Sequence, residues 1–193
     1  MIYLFFVFLA AVVWLIVYKV KNNKAAYDCG FFENDKSVPL RWNKNTIPIF
    51  VYQANDLAHD VVINLEKAIS FYNSQFKFPI MMFAGKFDDD EIDTVDFIYK
   101  SIYVKHGETL DDKPACATIN ADGFGDITNA TIFLKTTYDP GYLLTIFKHE
   151  LGHCLGLKHD IDEKSIMNPR PRSKSKLTNE DTTRLRKAYQ PYD

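Results

Sequence analysis

Residues 1–18 run without a single charged side chain, and residues 19–41 then turn polar and irregular, with Asn22, Asn23, Asn34, Asp35 and Pro39 among them. As a helix rising 1.5 Å per residue, the first run would extend about 27 Å, close to the thickness of a bilayer's hydrocarbon core. It is expected to be a transmembrane anchor. A cleaved signal peptide is the competing expectation, although no Lys or Arg precedes the run and no small-residue cleavage pattern follows it. Residues 19–40 read as a linker or short pro-segment, and residues 41–193 as one domain.

Within that domain the period of the apolar positions alternates between strand and helix. Residues 47–52 are β-rich, and residues 56–76 place Leu57, Val61, Ile63, Leu65, Ala68, Ile69 and Tyr72 at helical spacing, with Asp56 as N-cap. Two β-rich runs follow, at 79–83 and 94–103, separated by an acidic stretch at 88–93 that reads as a solvated loop. Residues 116–119 predict another strand. The turn Asp122-Gly-Phe-Gly-Asp126 then leads into a strand over 130–137. Asp139-Pro140 supplies an N-cap and a proline at the first helical position, for a helix that Gly156 ends. A last helix is predicted over 177–189, capped by Thr178 with Glu180 and Asp181 in its first turn.

Charge and cysteine content exclude some functions and leave others open. A formal net charge of -2 in 193 residues gives no basic field for nucleic acid, which is not expected as a partner. Cys29, Cys116 and Cys154 are too few for a disulfide framework, so at most one bridge and one free thiol arise within a chain. Cys154 reads as a small core residue. His59 and His106 read as ordinary histidines.

The chemistry concentrates in residues 149–159, His-Glu-Leu-Gly-His-Cys-Leu-Gly-Leu-Lys-His. His149 and His153, four apart on a helix, project from one face and can hold one ion at Zn–N distances of about 2.0–2.1 Å. Gly156 lets the backbone leave the helix with positive φ, so that His159 returns as a third ligand. Three imidazoles leave a tetrahedral zinc one open position, the signature of a catalytic site. Glu150 is then expected to be the general base for the attacking water. At this chain's His, Glu and Gly frequencies the full pattern arises by chance in about five chains per million.

The cassette, followed by Ser165-Ile166-Met167-Asn168-Pro169, resembles the metzincin peptidases, in which a methionine turn passes beneath the metal. The short interval from His159 to Met167 is similar to that of matrixins. So are Leu143-Leu144, Gly125-x-Ile127 before residues 130–134, and Leu177-Thr-x-x-Asp181. The resemblance covers residues 40–190. It implies an α+β, zincin-like fold: a twisted mixed β-sheet with an antiparallel edge strand, two long helices and a C-terminal helix. It further implies a zinc metalloendopeptidase acting on protein or peptide substrates, with one catalytic Zn2+ and Met167 as the methionine of the turn. By the same resemblance, residues 130–137 form the edge strand that pairs with substrate. Residues 168–172 with Thr145 wall the pocket just past the scissile bond.

The sequence also departs from that family. The histidines that hold a second, structural zinc in matrixins are missing, so a single zinc is expected. Asp122 and Asp126 offer oxygens to a hard cation, which makes Ca2+ a further candidate ion. Asp28-Cys29-Gly30 resembles an incomplete inhibitory cysteine motif, with Cys29 as candidate latch on the open zinc position. The chain is expected to act as a monomer, single-pass in a membrane or secreted if residues 1–18 are removed. Its domain is expected to be extracytoplasmic, although Lys19, Lys21 and Lys24 argue for the opposite side. A catalytically silent, membrane-tethered peptide-binding module of the same fold is the alternative.

Overall fold

The computed structural model describes residues 25–27, 40–43, 45–52, 59–87, 100–106, 113–122, 124–135 and 137–189. The expected anchor at 1–18, the cap Asp56, the acidic loop at 88–93 and the candidate latch Cys29 lie outside the described residues. Among those that are described, no helix is long and apolar enough to cross a membrane.

The strands are β1 (Ala25–Tyr27), β2 (Ile47–Tyr52), β3 (Met81–Phe87), β4 (Ile102–His106), β5 (Ala115–Ala121) and β6 (Ile127–Leu134), and the helices are α1 (His59–Asn73), α2 (Leu143–Cys154) and α3 (Asn179–Tyr189). They form a six-stranded sheet in the order β1-β5-β6-β4-β2-β3. Strands β3, β2, β4 and β6 run parallel, whereas β5 is antiparallel to β6. The α+β architecture, mixed sheet, two longer helices and C-terminal helix agree with expectation.

The pattern of apolar residues explains why helices cover the sheet. α1 buries Val61, Leu65, Ala68, Ile69 and Tyr72 along one stripe, while α2 buries residues on nearly every side. Together they close a core with Ile47, Ile49, Ile102, Val104 and Ile132 from the sheet. Asn73 joins α1 to β3: its amide nitrogen donates to Met81 O at 2.8 Å, and its carbonyl oxygen accepts from Ile80 N and Met81 N at 3.0 Å.

Two expected details are corrected. The strand predicted at 130–137 lies at 127–134 and is not an edge: it pairs with β4 on one side and β5 on the other, so both its rows of backbone groups are used. The antiparallel strand toward the rim is β5. The second is the start of the helix: Asp139 is its N-cap with Pro140 first, as expected, the carboxylate accepting from Gly141 N at 2.9 Å, but the opening turn, Pro140–Tyr142, is 3-10 and α2 begins at Leu143.

Candidate metal centre

α2 presents His149 and His153 on one face, and both are buried. The helix ends in a Schellman arrangement. Gly156, at φ +90°, donates to His153 O at 2.8 Å, and Leu157 N donates to Gly152 O at 2.9 Å. The positive φ expected of Gly156 is therefore present, and it turns the chain so that His159 faces the other two. A side chain at Gly156 would also run into the carbonyl of Leu40.

The three Nε2 atoms converge at separations of 3.1, 3.2 and 3.3 Å. Nδ1 of His149 lies 2.8 Å from Ile166 O, and Nδ1 of His153 lies 2.9 Å from Leu157 O. A carbonyl can only accept, so these ring nitrogens donate and the Nε2 atoms carry lone pairs. Lone pairs pointed at one another repel unless a cation lies between them. Tetrahedral coordination at Zn–N distances of about 2.0–2.1 Å sets ligand nitrogens about 3.3 Å apart. The triad fits that spacing.

Burial lowers the imidazole pKa values, that of His149 to about 4 and those of His153 and His159 in the same direction. In the metal-free protein the unfolded chain therefore takes up protons that the folded chain refuses once the pH falls below the ordinary histidine value. Stability falls with it. Glu150, with a raised pKa, acts in the opposite sense, but one carboxyl is outnumbered by three imidazoles. Metal-free protein should melt about 5–10 °C lower at pH 5 than at pH 7.5, as calorimetry would show.

Glu150 is buried beside the first histidine. Burial pushes its pKa up to about 7, against a hydrogen bond from the backbone of Ala117 and the positive charge of Lys113. Both opposing residues belong to β5 or its approach, so that strand borders the carboxylate. A cleft opens there, lined beside the histidines by Lys113, Pro114, Ala115, Tyr142, Ile146, Pro169 and Pro171. Thr145, expected in the pocket wall, is buried, and its neighbour Ile146 lines the cleft.

Met167 is fully buried under α2. Its amide donates to Ser165 Oγ at 3.0 Å, and its carbonyl accepts from Asp160 N at 2.9 Å. Buried Asp181 accepts from Thr178 Oγ1 at 2.8 Å and lies 3.5 Å from Ser165 Oγ, which ties the cap of α3 to this turn. A methyl group at Gly152 would overlap Met167 Sδ and lie 2.6 Å from the Tyr72 hydroxyl. Gly152→Ala should thus cost about 1–3 kcal/mol by overpacking, measurable as a lower midpoint in urea.

Several supporting residues carry no signal in the sequence. Tyr72 Oη donates to Lys148 O at 2.6 Å from α1. Trp42 Nε1 donates to Cys154 O at 2.7 Å, and Tyr189 Oη to Leu155 O at 3.0 Å, so distant side chains satisfy the carbonyls that end α2. Cys154 is free and buried, as expected of a core residue. In the turn offered to calcium, Asp122 Oδ1 already accepts from Phe124 N and Asp126 N, while Asp126 faces Asn43 and Arg41.

The family model for matrixins matches residues 41–190. The chain belongs to the matrixin family. Among solved structures it is similar to metalloproteinase-II from Bacteroides fragilis, with 13% identity and a TM-score of 0.53. That likeness covers 82% of this chain and 59% of the other, so it speaks for the fold. No match is found among curated proteins. For a matrixin, the three converging histidines are a donor set compatible with zinc.

Proposed function

We propose that this matrixin domain is a zinc-dependent endopeptidase. One ion is held by His149, His153 and His159, and Glu150 serves as general base. The observation that carries this reading is the set of three Nε2 atoms at tetrahedral spacing beside a buried carboxylate, at the bottom of an open cleft. Zinc held there supplies Lewis acidity toward a water molecule and a peptide carbonyl.

The remaining work falls to the chain. The carbonyls of Ile166 and Leu157 fix the tautomers of the first two ligands. Glu150, with its pKa near 7, is matched to taking a proton from water at neutral pH and returning it to the leaving amine. The outer edge of β5 short of its pairing with β1, over residues 115–118, offers backbone groups to an extended protein or peptide substrate, in place of the strand first expected. Tyr142, Ile146, Pro169 and Pro171 give an apolar wall for a substrate side chain. Met167 supports α2 from below. A monomer with residues 1–18 as anchor and 19–40 as a short pro-segment, whose residues 25–27 join the sheet as β1, completes the proposal.

The test is metal removal and return. Dialysis against a chelator should reduce cleavage of an unfolded protein substrate to background, and one equivalent of zinc should restore it. Cleavage that persists without metal would count against the proposal.

A further inference from the structure

Lys113 stands at the cleft with no part in holding the metal or moving the proton. It precedes Pro114, whose ring crowds the residue before it out of the helical region and toward extended backbone. Lys135, just after β6, donates its N–H to Pro114 O at 3.0 Å, which holds this approach to β5 in place. The half-buried Lys113 lines the cleft together with the three histidines. Behind burial, which dominates each shift, its positive charge is also felt by His149, Glu150, His153 and His159. Among the described residues that line the cleft, Glu150 is the one carboxylate and Lys113 the one lysine or arginine.

The direction of a bound peptide decides which of its residues meet that charge. β1 pairs with Ala121 to Ile119 in antiparallel register, so the stretch that the edge offers runs from Thr118 to Ala115. A peptide pairing in the same antiparallel sense runs down β5 from Thr118 toward Lys113. With the Ala117 backbone on Glu150, the reacting carbonyl lies short of Lys113, and the residues after the scissile bond pass it. We infer that Lys113 is a specificity-determining residue, whose ammonium selects a substrate with Asp or Glu among the first three residues after the scissile bond. This inference rests on the peptidase reading of the cleft and adds a substrate class to it.

A carboxylate gains more there than on the open surface, because a seated peptide excludes water and lowers the local dielectric. Exchanging an ion-pair partner that Lys113 already holds at a half-buried position costs no more than about fivefold in affinity, the upper worth of such a pair. Arg170, exposed between the lining residues Pro169 and Pro171, adds a second cation near the rim, whereas Arg172 is taken by Glu163 at 2.7 Å. The chain's net charge of -2 gives no general attraction for acidic peptides, so the preference belongs to this one position of the cleft.

The test uses the zinc-loaded full chain and internally quenched peptides that share one sequence with a single mapped cut. They differ only in Glu or Gln at the first, second or third position after that cut. In wild type, kcat/KM for Glu over Gln should be at least about fivefold at one of these positions, mainly through KM, and should shrink in about 1 M salt. Lys113→Met should bring the ratio to about one, Lys113→Arg should keep it, and Lys113→Glu should invert it. A lysine that only steadies Glu150 would change both substrates alike and leave the ratio untouched. An unchanged ratio in Lys113→Met therefore overturns the inference, as does a wild-type ratio near one at all three positions. The peptidase proposal survives both of those results, since the peptides are still cut. If no peptide is cut, fluorescence anisotropy of labelled Glu and Gln forms reads the same ratio as Kd. A Glu preference that Lys113→Met removes then keeps the selectivity while the peptidase proposal fails, and equal Kd values sink both.

Discussion

Replacing Glu150 by Gln is expected to lower kcat about 10²–10⁴-fold while the domain still binds one zinc per chain. The carboxylate is not in the ligand triad, so the exchange removes the proton acceptor and leaves three imidazoles in place. The introduced amide keeps an oxygen that can accept from the backbone of Ala117. A second effect should accompany the loss. The folded-state pKa of Glu150 is raised to about 7 from 4.5, so its contribution to stability is fully present below 4.5 and is lost as the pH rises through 7. The metal-free wild type thus carries a penalty on the order of 3 kcal/mol at pH 8 that the variant escapes. The variant should be nearly inactive and melt at a higher temperature, a trade typical of active sites. Undiminished kcat would remove Glu150 from the mechanism, whereas no cleavage by the zinc-loaded wild type would leave the silent peptide-binding module as the better description.

Replacing His153 by Ala is expected to abolish activity by a different route. Its imidazole lies between the other two, with Nε2 within 3.2 Å of both and Nδ1 on Leu157 O. Truncation removes a ligand and leaves that carbonyl without its donor. Changes to groups behind a ligand already cost 10- to 100-fold in metal affinity, so loss of the ligand itself should cost at least about 100-fold. Titration against a competing chelator measures this directly. Retention of wild-type zinc affinity would mean that the ion is held elsewhere.

The site was more legible in the sequence than the cleft around it. His149, Glu150, His153, Gly156 and His159 lie within eleven residues, and helical periodicity with one left-handed glycine suffices to bring the three imidazoles together. Thr178 and Asp181 were likewise readable, since a helix cap is a local motif. The edge strand was not. Whether residues 127–134 or 115–121 lie outermost depends on pairings with β4, which is distant along the chain, and no local pattern encodes that order. The same limit hid Trp42 and Tyr189, whose hydrogen bonds to the end of α2 span 112 and 34 residues. Adjacent helical positions point about 100° apart, so Ile146 lines the cleft while its neighbour Thr145 is buried beside it.

Mass spectrometry of a protein substrate digested in water enriched in oxygen-18 tests the central claim most directly. The zinc-loaded domain should release internal fragments whose new C-termini carry one heavy oxygen, and both chelation and Glu150→Gln should suppress them. A domain that holds one zinc per chain on the three histidines and yet produces no such fragments would contradict the claim.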